Sequence, residues 1–247
     1  MRFSEMMQAA SDFWRPNRYG LKPYLIKDGE KHPFAVICPG GAYSMVCSFV
    51  EGKPIAEALN RKGFNAFVVY YRTRKKAGFP NPQEDLKYAV DEIIESADKW
   101  NIDIKGWSLW GSSAGGHLAA SYCAEEWCQP KPAVLILSYP VISMGEKTHS
   151  ETRRNLLGEN PDCSMIERLS VEKHITTGFP PTFVWSGTAD KDVDPANSRL
   201  LADALNHAGI VHRAEEYEGI GHGVGLAKGT EAEVWFDHAV EFWKMNR

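Results

Sequence analysis

The run Trp110-Gly111-Ser112-Ser113-Ala114-Gly115-Gly116-His117 places Ser113 at the centre of a Gly-x-Ser-x-Gly. A serine hydroxyl is a weak nucleophile at neutral pH; it needs a base to take its proton and an acid to orient that base. The surroundings of Ser113 suit this use. The apolar residues 107–110 read as the end of a strand, and 117–122 read as a helix. Strand, sharp turn and helix is the order that lifts a serine clear of a sheet. The turn holds the serine in a strained backbone conformation, so its flanks must lack bulk, and Gly111 and Gly115 supply that space. The helix start also brings positive partial charge to the serine.

Base and acid are expected on loops after later strands. His222 stands among Gly219, Gly221, Gly223 and Gly225, just past the last expected strand. Glycine on both sides lets the loop fold back and present the imidazole over the sheet edge, and catalytic side chains favour such loops. The other histidines have plainer readings. His117 lies in the helix after the serine and points along it; His207, His212 and His238 fall in or beside helices and strands; His32, His149 and His174 precede the wrong strands. For the acid, residues 187–195 carry Asp190, Asp192 and Asp194. Asp190 is nearest the strand end and best placed to reach His222, with Asp192 the alternative. Asp194, just before Pro195 and a helix, fits a capping residue. Developing oxyanion charge needs preorganised backbone N–H groups. Ala114, next to the serine, is one expected donor; Gly40 and Gly41, in the loop after an early strand, are the others.

These residues need a scaffold of alternating strands and helices, and the chain has one. Apolar runs at 34–38, 65–71, 133–137 and 182–186 read as strands, with a further strand at 212–217 and an edge strand at 21–26. Helical patterns fall at 51–62, 82–100, 197–208 and 231–243. Strands apolar on both faces and separated by helices imply an α/β fold, a mostly parallel sheet covered on both sides. Residues 143–179 break the rhythm, with helical turns expected at 152–157 and 161–169, and a connection this long is usually functional. The reading is a single domain, 1–247, with that segment as an insertion.

Composition narrows the function classes. The 247 residues carry a formal net charge of -4 and are 43% hydrophobic, as in a globular protein with a sizeable core. There is no basic stripe for nucleic acid and no apolar run long enough to span a bilayer. The Arg72–Lys76 cluster reads as a solvated loop. Residues 1–12 hold one arginine and no apolar stretch, which does not read as a secretory signal. The 5 cysteines include no Cys-x-x-Cys pair, which points to reduced thiols in a cytoplasmic protein and no zinc site.

With these segments placed, the chain resembles the small acetyl-esterase group of α/β-hydrolases, described as acetyl xylan esterase-like or feruloyl-esterase-like. The resemblance runs from about residue 33 to the C-terminus. It is carried by Cys38-Pro39-Gly40-Gly41-Ala42-Tyr43, Gly111-Ser112-Ser113-Ala114-Gly115-Gly116-His117-Leu118-Ala119 and Leu137-Ser138-Tyr139-Pro140-Val141. Asn155-Leu156-Leu157-Gly158-Glu159, Pro180-Pro181-Thr182-Phe183 and Gly221-His222-Gly223 add to it. It implies Ser113 as nucleophile, Asp190 as acid, His222 as base, and Gly40, Gly41 and Ala114 as oxyanion donors. Two departures stand out: Ala42 where the group often has a third glycine, and Val193-Asp194-Pro195 where it often has Val-Pro.

The expected activity is therefore that of a serine carboxylic-ester hydrolase without metal or organic cofactor. It would release short acyl groups, acetate above all, through an acyl-enzyme. The resemblance implies acetylated sugars or oligosaccharides as substrates, and the polar insertion would form a small cap over the nucleophile. An amide hydrolase of the serine-peptidase or formamidase kind is the alternative. A non-catalytic binding protein on the same scaffold is the reading from a different class.

Overall fold

The computed structural model describes residues 19–247. The N-terminal expectation for residues 1–12 lies outside them. Among the described residues seven strands form one sheet in the order β1-β3-β2-β4-β5-β6-β7. The strands are β1 (Gly20–Tyr24), β2 (His32–Cys38), β3 (Asn65–Tyr70), β4 (Ile102–Ser112), β5 (Val134–Ser138), β6 (Thr182–Gly187) and β7 (His212–Tyr217). Only β1 runs antiparallel, pairing with β3 at the sheet edge, and every other pairing is parallel. The fold is that of an α/β-hydrolase.

The two-residue period of a strand explains why both faces are covered. Phe34, Val36 and Cys38 of β2 join one core, with Phe67, Val69, Leu135, Leu137 and Val184. Their neighbours Ala35 and Ile37 join the other, with Ala66, Val68, Val134, Ile136, Phe183 and Trp185. Helices close each side. Leu86, Ala89, Val90 and Ile93 of the helix Asn81–Glu95 pack on the first core. Ile55, Ala56 and Leu59 of Lys53–Arg61, and Trp235, Ala239 and Trp243 of Trp235–Asn246, pack on the second.

Three helices differ from the sequence reading. The helix expected at 51–62 is two pieces, Ser48–Glu51 and Lys53–Arg61, because Pro54 lacks an N–H and fits only the first turn of a helix. The helix expected at 82–100 stops at Glu95; after Ser96 a separate turn, Ala97–Trp100, lays Trp100 against Phe67 with ring centroids 4.9 Å apart. The C-terminal helix is preceded by a 3-10 turn, Glu231–Val234. The insertion holds two short α-helices, Ser150–Leu157 and Cys163–Arg168, a 3-10 turn, Val171–Lys173, and no strand. Arg72 is not simply solvated: its guanidinium and backbone N–H both donate to the buried carboxylate of Asp85. Among the described residues no helix is long and apolar enough to cross a membrane. The loops after β2, β4, β6 and β7 gather at the carboxyl edge of the sheet, where open parallel sheets bind ligands.

Candidate active site

Ser113 opens the helix Ser113–Ala124 directly after β4, at a φ of 53° that a residue with a side chain rarely adopts. The strain persists because the flanks are crowded. A Cβ on Gly115 would lie 2.1 Å from the Cys38 carbonyl oxygen, and one on Gly111 would lie 2.5 Å from the Gly115 carbonyl oxygen. Both positions must be glycine for β2, β4 and the helix to close on one another.

The acid loop after β6 and the histidine loop after β7 are stitched together. Thr188 N–H donates to the Tyr217 carbonyl at 2.9 Å, and Ala189 N–H to the Ile220 carbonyl at 3.0 Å. A Cβ on Gly187 would sit 2.1 Å from the Ile220 oxygen, so glycine alone allows this approach. The result brings three expected residues into line. His222 Nδ1 lies 2.6 Å from Asp190 Oδ2, and His222 Nε2 lies 2.8 Å from Ser113 Oγ. A carboxylate can only accept, so Nδ1 carries the proton and Nε2 faces the serine hydroxyl as an acceptor. Asp190 Oδ1 accepts the N–H groups of Asp192 at 3.0 Å and Val193 at 2.9 Å, which fixes the carboxylate plane. Asp192 thus serves this arrangement through its backbone, while its side chain lines the cavity. Asp194 accepts the N–H of Ala196 at 2.9 Å, at the start of the helix Ala196–His207.

The loop after β2 is wound tightly. Gly41, Ala42 and Tyr43 all have positive φ, at 123°, 53° and 56°. Ala42 therefore occupies a left-handed position that a glycine would fill without strain. Its carbonyl accepts Asn155 Nδ2 from the insertion at 2.7 Å, and the Tyr43 carbonyl accepts the Arg74 N–H at 2.8 Å. The expectation for Gly40 changes here. Its N–H donates to Glu51 Oε2 at 2.7 Å, so that amide is occupied by a carboxylate. Gly40 is glycine because a Cβ would meet Ser113 Cβ at 2.7 Å and Glu51 Oε2 at 2.8 Å. Ala114 lies in the first turn of its helix, where N–H groups have no intrahelical partner.

A cavity of about 360 Å³ opens over Ser113 and His222, walled by Gly41, Met45, Cys47, Glu51, His149, Glu151 and Asp192 among others. Two of these were missed in the sequence. His149 precedes the helix Ser150–Leu157 and reaches the cavity through the fold of the insertion; its Nδ1 contacts Thr152 Oγ1 at 2.8 Å, and burial lowers its pKa. Glu51 is buried, and no spacing in the sequence marks it. Burial raises its carboxyl pKa against the lowering effect of hydrogen bonds from Gly40 and Tyr139. His117, by contrast, stays out of the site: Nε2–H donates to the Leu169 carbonyl at 2.8 Å, and Nδ1 faces the Tyr43 hydroxyl at 2.9 Å.

The BD-FAE family model matches residues 23–126. Over 95% of its length the chain is 33% identical to an endo-1,4-beta-xylanase B of Butyrivibrio fibrisolvens, and over 81% it is 32% identical to an acetylxylan esterase of Xylanibacter ruminicola. It spans 40% and 41% of those two proteins. The crystal structure of an acetyl ester-xyloside bifunctional hydrolase from Caldicellulosiruptor lactoaceticus superposes with a TM-score of 0.86 at 30% identity, covering 94% of this chain and 89% of that one. The chain belongs to the α/β-hydrolase esterase group.

Proposed function

We propose that the protein is a serine carboxylic-ester hydrolase that releases short acyl groups, acetate above all, from hydroxyl-rich substrates. The observation that carries this reading is the continuous contact from Asp190 through His222 to Ser113 Oγ, at 2.6 and 2.8 Å. His222 Nε2 takes the hydroxyl proton as Oγ bonds to the ester carbonyl carbon. The resulting oxyanion is met by the amides of Gly41 and Ala114, Gly40 being committed to Glu51. The imidazolium then gives its proton to the departing alcohol oxygen, leaving an acyl-serine. Water, deprotonated by the same imidazole, attacks that acyl carbon; the carboxylic acid leaves and Oγ regains its proton.

The substrate class rests on two supports. The cavity wall carries His149, Glu151 and Asp192, groups that can partner sugar hydroxyls, whereas a long acyl chain would leave them unmet. An acetylxylan esterase and an acetyl ester-xyloside hydrolase are among the relatives. Acetylated oligosaccharides fit both. We take residues 1–247 as a single domain, with 143–179 as an insertion contributing to the cavity wall, and place the chain in a reducing, cytoplasmic compartment on the odd number of its cysteines, 5, and their lack of Cys-x-x-Cys pairing.

The test is a panel of p-nitrophenyl esters from acetate to octanoate, followed by acetylated xylooligosaccharides. The expected result is a kcat/KM for acetate at least about 10-fold above that for octanoate, the order of discrimination apolar pockets reach, with acetate released from the oligosaccharides. A preference for octanoate, or cleavage of aminoacyl amides with acetyl esters untouched, contradicts the proposal.

A further inference from the structure

Glu51 ends the short helix Ser48–Glu51 and is only 3% exposed. A carboxylate this deep is costly unless its oxygens are met by donors. Both are. Oε2 accepts the Gly40 N–H at 2.7 Å, and Oε1 accepts the Tyr139 hydroxyl at 2.9 Å. The Tyr139 oxygen in turn accepts the Gly225 N–H at 3.0 Å, so its own proton is directed to Glu51.

The groups in this chain of contacts stand on different parts of the site. Gly40 begins the loop that carries Gly41, and Gly225 lies on the loop that carries His222. Tyr139 follows β5 at a φ of 38°, a conformation held against its own strain. Its ring meets the His222 imidazole edge-on, with centroids 4.9 Å apart. A Cβ on Gly225 would lie 2.7 Å from the Val50 carbonyl oxygen, so the histidine loop also packs on the segment holding Glu51.

We infer that Glu51 is a positioning residue: its carboxylate clamps the oxyanion loop at Gly40 and, through Tyr139, the histidine loop at Gly225, so that one group sets both against Ser113. The inference rests on Ser113 and His222 acting as proposed above. Among the described residues the carboxylate's hydrogen-bond partners are two donors, so an acceptor is needed at both oxygens. Glutamine keeps the shape but turns an N–H₂ toward one of the two donors. Tyr139→Phe removes only the arm to the histidine loop.

The experiment measures p-nitrophenyl acetate kinetics and the rate of labelling by a fluorophosphonate for wild type, Glu51→Gln, Tyr139→Phe and the double variant. Glu51→Gln is expected to lower kcat by about 10- to 100-fold, the cost of slight misplacement of reacting groups, with KM changed by less than about threefold. Its labelling rate should fall by a similar factor. Tyr139→Phe should lose less, and the double variant no more than Glu51→Gln alone, because the two residues act as one unit. Should Glu51→Gln fail to fold, Tyr139→Phe decides alone, and a wild-type kcat there overturns the inference. Wild-type labelling of Glu51→Gln, or losses that multiply in the double variant, also overturn it. If wild type is not labelled, or Ser113→Ala is labelled as well as wild type, the parent reading has failed and this one with it.

Discussion

Asp190 and Asp192 lie two residues apart, yet the fold gives them separate tasks. Asp190 Oδ2 faces His222 while Oδ1 is held by two backbone N–H groups, one of them that of Asp192. Asp190→Asn presents an amide where the imidazole needs an acceptor and favours the wrong tautomer, so kcat should fall by about 10⁴-fold. Asp192→Asn leaves its backbone N–H in place and should stay within about 10-fold of wild type, its loss appearing in KM for sugar esters, since truncating a side chain that only binds substrate removes uniform binding. Steady-state kinetics on both variants check this, and the reverse ranking would move the acid to Asp192. Ser113, Asp190 and His222 were legible in the sequence because glycines and strand ends announce them. Glu51 and His149 were not. Each reaches the cavity through long-range packing, Glu51 across to Gly40 and Tyr139, His149 by way of the insertion, and neither spacing nor periodicity encodes such contacts.

The strands were legible for the same reason that they form: runs such as Ala66–Val69 and Leu135–Leu137 supply side chains to two cores at once. Helix ends were harder. Pro54 breaks the helix expected at 51–62, and its own rule about the first turn would have revealed the break. The turn at Ser96 depends on where Trp100 finds Phe67, which local pattern does not contain. The element-scale prediction concerns the seam between β6 and the histidine loop. Gly187→Ala sets a Cβ against the Ile220 oxygen, whereas at Gly221 nothing lies within 4 Å. Gly187→Ala should therefore cost about 1–3 kcal/mol of stability, as overpacking does, and displace His222 enough to slow fluorophosphonate labelling. Gly221→Ala should remain within about 0.5 kcal/mol, as an unstrained open position does. Urea unfolding and labelling rates on the pair separate the two; equal behaviour would mean that the seam is not what aligns Asp190 with His222.

Across the whole molecule, His117 ties the loop of Gly41 to the insertion, through Tyr43 on one side and Leu169 on the other. Complete burial pushes its pKa down from 6.5 to about 4. The unfolded chain therefore takes up a proton between those values that the folded protein refuses. Stability is full above pH 6.5 and is lost as pH falls toward about 4, by on the order of 3 kcal/mol from this group. Urea unfolding at stepped pH should show that slope in wild type and a flatter one in His117→Gln; parallel slopes would show that His117 is not the group responsible. The account as a whole depends on Ser113 carrying the acyl group between ester and water. The most direct measurement is rapid acid quenching of the protein turning over p-nitrophenyl acetate, followed by peptide mass mapping. The account predicts an acetyl group on the peptide containing Ser113, and neither adduct nor turnover above background in Ser113→Ala. Acetate release at the wild-type rate by Ser113→Ala, or an acetyl group accumulating on another side chain in its place, would contradict it.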